Sequence, residues 1–120
     1  MSDPASNQSL FGIHGMALEL RSQAMGLITS NIANAATPGY KARALDFNAA
    51  LKAEIGGADA GQAAAAATQY RVPVMPALDG NTVEMDTEQV SFSQNAVGYE
   101  TSLAFLSGRI DTITRAIKGE

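Results

Sequence analysis

From Phe92 to Ile117 apolar residues recur at alternating steps of four and three: Phe92, Ala96, Tyr99, Leu103, Leu106, Ile110, Ile113 and Ile117. That spacing winds them into one stripe along an α-helix, so the segment 86–118 is predicted as a long helix with an apolar seam. Asp86 with Gln89 three residues on resembles a capping box. Glu84 and Glu88 complement the positive N-terminal dipole, and Arg115 and Lys118 suit the C-terminal end. A second seam lies near the start of the chain, where Leu10, Ile13, Ala17, Leu20, Ala24 and Leu27 step in the same way and predict a helix over 8–36. Ser6 or Ser9 is available to cap it, and Pro38 pushes Thr37 out of the α region and ends it near Ala35 or Ala36. Two such helices in 120 residues describe one mainly α subunit, residues 1–120, whose terminal helices pair as a coiled-coil hairpin.

The middle segment, 37–85, reads as turn, linker and a small extended region. Residues 56–68 combine Gly56-Gly57-Ala58-Asp59-Ala60-Gly61-Gln62 with an alanine run from Ala63 to Ala67. They are expected to form a flexible linker, because flanking glycines and the lack of large apolar residues leave them little to bury. The competing expectation is a short alanine helix, since alanine has the best intrinsic helix propensity. Val72 and Val74 lie on one side of an extended stretch, and Asp79-Gly80-Asn81 separates it from Thr82-Val83-Glu84-Met85. That order suggests a small β-hairpin, which Pro73 and Pro76 confine to an edge.

Charge then separates this chain from an ordinary helical hairpin. Charged residues make up only 17% of the sequence, below the roughly 25% usual in soluble domains. Between Leu10 and Ala36 the only charged side chains are Glu19 and Arg21. Small neutral side chains let other helices approach without desolvating a charge. Leu18, Met25, Ile28, Ile32 and Phe105 lie partly off the two stripes, so neighbouring copies have apolar surface to cover. The other reading open at this point is a monomeric bundle that uses those residues in its own core. Net charge of −4 with no Lys/Arg cluster argues against nucleic acid. No stretch approaches the ~18 uninterrupted apolar residues of a membrane span.

The stretch Ser30-Asn31-Ile32-Ala33-Asn34-Ala35-Ala36-Thr37-Pro38-Gly39-Tyr40 carries the most information. Asn31 and Asn34 put amides on the seam, where they cost stability but set register and bond backbone groups at a helix end. Thr37-Pro38-Gly39-Tyr40 fits a type II turn, with Gly39 supplying the positive φ. The stretch resembles the signature of the flagellar axial proteins, the rod and hook subunits. Lys41-Ala42-Arg43, Asp46-Phe47, Asp79-Gly80-Asn81-Thr82-Val83 and Ala104-Phe105-Leu106-Ser107-Gly108-Arg109-Ile110 look like the proximal-rod members. One departure is Ala36, where the family usually has Asp.

The resemblance implies a structural subunit that self-assembles through its terminal helices into the proximal rod of the basal body. That rod is a torque-transmitting hollow shaft around the export channel. The subunit would reach the periplasm through the flagellar type III apparatus, in keeping with a start, Met1-Ser2-Asp3-Pro4, that lacks the features of a cleaved signal. Implied neighbours are copies of itself, the rod proteins FlgC and FlgF and the junction protein FliE, with the membrane-ring protein FliF a further candidate. A different class of function consistent with the helices alone is a soluble coiled-coil adaptor or export chaperone that never joins the rod.

Nothing in the sequence assembles catalytic chemistry. His14 is the single histidine and cysteine is absent, which rules out paired-imidazole and thiolate sites. Asp79, Asn81, Glu84, Asp86 and Glu88 superficially suggest a calcium loop, but Glu84 stands where an EF-hand requires glycine. No catalytic residue, metal ligand or cofactor is therefore predicted, and the chain is expected not to be an enzyme.

Overall fold

A computed structural model describes residues 12–119, in the order α1 (Gly12–Ala33), β1 (Arg43–Leu45), α2 (Phe47–Ile55), α3 (Ala60–Ala67), β2 (Thr68–Tyr70) and α4 (Met85–Lys118). Leu10 and the cap candidates Ser6 and Ser9 lie outside the described residues. The two long helices run antiparallel: Asn31 near the end of α1 meets Glu88 near the start of α4, and His14 stacks on Phe105 with ring centroids 5.0 Å apart. The molecule measures 64 × 28 × 18 Å, and its radius of gyration, 17.4 Å, exceeds the roughly 13–14 Å of a compact chain this long. The fold class expected from the seams is the one observed.

Local chemistry sets the helix ends. The 34-residue α4 carries Asp86 and Glu88 in its first turn and Arg115 and Lys118 in its last. It stops at Gly119, whose φ of 78° allows its amide to close back on Ala116. The expected capping box does not form. The helix starts at Met85, which places Asp86 inside the first turn, and the side chain of the N-cap residue, Glu84, instead accepts the Val74 amide at 3.2 Å. At the other junction α1 ends at Ala33, slightly before the expected 35–36, and residues 34–36 continue as turns.

Two expectations about the middle segment are corrected. The alanine-rich stretch expected as a flexible linker, 56–68, contains helix α3. Asp59 caps it by accepting the Gln62 amide at 2.8 Å, and Ala63, Ala64 and Ala67 are buried. These alanines form the core with Leu20 of α1 and Ala50 of α2. Large apolar side chains are unnecessary because methyl groups let three helices approach closely. The strand pairing also differs. Instead of a hairpin, β2 pairs antiparallel with β1, with Arg43 opposite Tyr70 and Leu45 opposite Thr68. The segment expected to supply the second strand is already occupied, since the Thr82 amide donates to the Tyr40 carbonyl and the Gly39 amide to the Asp79 carbonyl.

Beside this core, Glu54 of α2 is buried, and its Oε2 has no hydrogen-bond partner. Burial, then hydrogen bonding with Glu19 and the negative charges of Glu19 and Asp59, pushes its carboxyl up to about 7.

Candidate functional site

The residues of the motif and its turn converge on one polar clamp. Asn31 is fully buried and uses its whole hydrogen-bonding capacity. Its Nδ2 donates to the Arg43 carbonyl at 2.8 Å and to Glu88 Oε1 at 3.2 Å, and its Oδ1 accepts from the Arg43 amide and the Tyr40 hydroxyl, each at 3.2 Å. The Tyr40 hydroxyl also lies 3.0 Å from Ser30 Oγ. Tyr40 reaches both because the turn reverses the chain: Gly39 has φ 75° and the Tyr40 amide closes on the Thr37 carbonyl at 3.2 Å. Pro38 is exposed on that turn, and Ile32 is half-buried. Asn34 donates to the Ser30 carbonyl at 2.9 Å and accepts the Thr37 hydroxyl at 3.1 Å.

Three residues that sequence reasoning missed complete the clamp. Asn81 Nδ2 donates to the carbonyls of Asn34, Ala35 and Thr37 at 2.9, 3.1 and 2.8 Å, satisfying acceptors that the end of α1 leaves open. Glu88, read from sequence as a dipole residue, is fully buried and paired with both Arg71 and Asn31. Arg71 carried no sequence signal. Glu88 carried one: it stands seven residues before Asn95, so two polar side chains share one face of α4 beside the apolar seam.

Along α4 the contact with α1 does not follow the apolar seam. Glu88 bonds Asn31, Asn95 Nδ2 donates to the Arg21 carbonyl at 2.9 Å, Gly98 lies beneath the Arg21 side chain and Phe105 stacks on His14. Residues 88, 95, 98 and 105 repeat with a seven-residue period of their own, so a mostly polar or small line runs beside the apolar one. A Cβ on Gly98 would stand 2.7 Å from the Arg21 guanidinium, which shows how tightly this line packs.

The apolar seam is consequently left open. Phe92, Tyr99, Leu103, Ile110, Ile113 and Ile117 are all exposed, Ile117 at 81%, and only Ala96 and Leu106 are half-buried. The seam of α1 behaves differently. Leu20 and Ala17 are buried, Ala24 and Leu27 are half-buried and Ile13 is exposed. Of the off-stripe residues, Ile28 is buried by its own chain whereas Phe105 stays 60% exposed despite its stack. Among the described residues no group of three or more acidic or histidine side chains could hold a metal, and no helix is long and apolar enough to cross a membrane.

Comparison with known proteins fits this arrangement. Residues 12–41, which hold α1 and the turn, match the flagella basal body rod protein family. The flagellar basal body rod protein FlgB of Cereibacter sphaeroides is 50% identical over 120 residues, covering 91% of this chain and 94% of that protein. The chain belongs to the FlgB family of flagellar basal-body rod proteins. FlgB of Aeromonas hydrophila is 41% identical over 123 residues, covering 92% of this chain and 93% of the relative. FlgB of Escherichia coli is 42% identical over 113 residues, with 78% and 82% covered. In this member of the FlgB family, the long motif builds the clamp that fixes α4 against α1 and decides which face of α4 is presented outward.

Proposed function

We propose that this chain is a structural subunit of the proximal rod, self-assembling through its terminal helices into a hollow shaft that encloses the export channel and transmits torque. The observation that carries the reading is the exposed apolar row from Phe92 to Ile117. An unpartnered row of that size is unfavourable in water, and burying each side chain is worth roughly 1.5–3 kcal/mol. A polar clamp that turns a helix's apolar face outward suits a protein whose contacts are completed by neighbours. The positions proposed as contacts are those of the two seams: Leu10, Ile13, Ala17, Leu20, Ala24 and Leu27 on the first helix, and Phe92, Tyr99, Leu103, Leu106, Ile110, Ile113 and Ile117 on the last. Leu20 and Ala17, buried within the chain, contribute by fixing α1, and the exposed members contribute directly. Copies of the chain, FlgC, FlgF and FliE are the neighbours this reading supplies, FliF is a further candidate, and the flagellar type III apparatus is its export route to the periplasm.

The test is the double substitution Leu103→Asp and Leu106→Asp in a strain carrying no other copy. Loss of swimming, with the variant absent from purified basal bodies, is expected. Normal swimming by that strain would refute the reading, and wild-type protein found only in the cytoplasm would favour an adaptor or chaperone instead.

A further inference from the structure

Beyond β2 the chain runs irregularly from Arg71 to Glu84, and its large apolar side chains face water. Tyr70, Val72, Val74, Met75 and Leu78 are all exposed, Val72 and Val74 at 86% each. The stretch is nonetheless fastened along its length. The Arg71 amide donates to the Ala42 carbonyl at 2.9 Å, the Val74 amide to Glu84 Oε2 at 3.2 Å, and the Asp79 carbonyl accepts the Gly39 amide at 2.8 Å. Pro73 and Pro76 restrict the backbone further and lack amide donors of their own. Residues 70–78 therefore form an anchored strap whose ordering is largely complete before anything binds, and whose outside contacts run through side chains rather than through an added strand.

A second open apolar surface lies near the far end of α4, where Ile110, Ile113 and Ile117 are exposed. Val74 is tied to Glu84, the N-cap residue of α4, and this unbroken helix rises about 1.5 Å per residue, which puts Ile113 roughly 40 Å away. Strap and isoleucines cannot cover each other within one chain. Their charged surroundings are complementary. Arg109, Arg115 and Lys118 stand among the isoleucines, and the acid between them, Asp111, already pairs with Arg115. Asp79, Glu84 and Asp86 flank the strap; of the nearby bases, Arg71 is paired with Glu88 and Lys41 is bonded to the Gly80 carbonyl.

We infer that the strap of one copy, Tyr70 to Leu78, receives the isoleucine end of α4, Ile110 to Ile117, from the next copy. This contact rests on the self-assembly proposed above and says which part of one copy meets which part of the next. It joins different patches on identical subunits, so it is heterologous and propagates around a ring or along an open helix. The isoleucines and the strap supply apolar area, and the basic helix end meeting the acidic flank of the strap sets the direction.

The test uses full-length chains in a strain with no other copy, and the absence of cysteine allows disulfides to be placed at will. Val74→Cys and Ile113→Cys are co-expressed on separate, differently tagged copies, and purified basal bodies are oxidised. A disulfide-linked dimer holding one of each variant is expected, and both substitutions on one chain should give a ladder of multimers. Absence of the mixed dimer, or self-linked dimers of either variant in its place, overturns the inference and leaves another rod protein or residues 1–11 to cover the isoleucines. A second variant, Val72→Asp with Val74→Asp, decides the matter if the cysteine chains fail to assemble. Its urea midpoint should match the wild type, because both side chains are exposed, while the protein is lost from basal bodies; wild-type incorporation overturns the inference. If the Leu103→Asp and Leu106→Asp protein still assembles, the underlying assembly reading fails. If that protein is excluded while the Val72→Asp and Val74→Asp protein assembles normally, only the strap contact is refuted.

Discussion

At the Asn31 end of the helix pair, α4 is held by a buried network joining Asn31, Glu88, Arg71, Tyr40 and Asn81 to both chain directions. Beyond Leu106 the same helix is exposed at every residue from Ser107 to Gly119, although Ile110, Ile113 and Ile117 keep the apolar spacing. In the first half of α4 the two buried residues, Glu88 and Asn95, are polar, whereas in the second half the residues at the apolar spacing are open to water. The contrast separates two tasks. The polar residues specify one orientation, because Asn31, Glu88 and Asn95 bond only particular partners. The apolar half is non-directional and remains available for burial by other chains.

The strongest way to break this comparison is to remove Glu88. Glu88→Ala leaves Arg71 and Asn31 without their shared acceptor, and a loss of about 3–5 kcal/mol in urea unfolding of the isolated chain is expected. Ile113→Ser should change the same quantity by no more than about 0.5 kcal/mol. Equal costs for the two substitutions would mean that both halves are held in the same way. A smaller effect is expected at the end of α1. Asn81→Ala removes the side-chain donor shared by three carbonyls, of which those of Asn34 and Thr37 keep a backbone partner and that of Ala35 does not, and should cost about 1–3 kcal/mol, with faster hydrogen exchange confined to residues near the Thr37 turn.

The smallest effect concerns pH and the α1–α2 contact. In the folded chain the Glu54 carboxyl sits at about 7, against its ordinary 4.5. Folding therefore favours the protonated form, so this contribution is complete below about pH 4.5 and is lost as pH rises through about 7. The melting temperature should fall between pH 5 and pH 8. Glu54→Gln should flatten that slope, and an unchanged slope would assign the pH dependence to another group.

The terminal helices were legible because each repeats its apolar spacing for several turns, a signal strong enough to survive without tertiary information. The type II turn was legible because Pro38 and Gly39 restrict the backbone before any contact forms. The helix over Ala60–Ala67 was not legible as buried structure. Its propensity was plain, but its stability depends on Leu20 and Ala50 being close enough to pack against methyl groups. The pairing of β1 with β2 was hidden for a related reason, since three-residue strands carry too little pattern to identify partners across two intervening helices. In the clamp, Asn31 and Tyr40 were visible through the motif, and the segment around Asn81 stood out without its role. Arg71 was silent, because a lone arginine in an extended stretch has no periodicity to mark it.

Sequence alone determined that two long amphipathic helices exist, that a tight turn closes off the first of them, and which family the pattern resembles. Those properties reside in neighbouring residues and in repeats along one helix. Only the tertiary structure decided which face of α4 meets α1. Two seven-residue frames run side by side on that helix, and hydrophobicity alone favours the apolar one. The polar frame is the one in contact because Glu88 and Asn95 find buried partners there that water-facing positions could not supply.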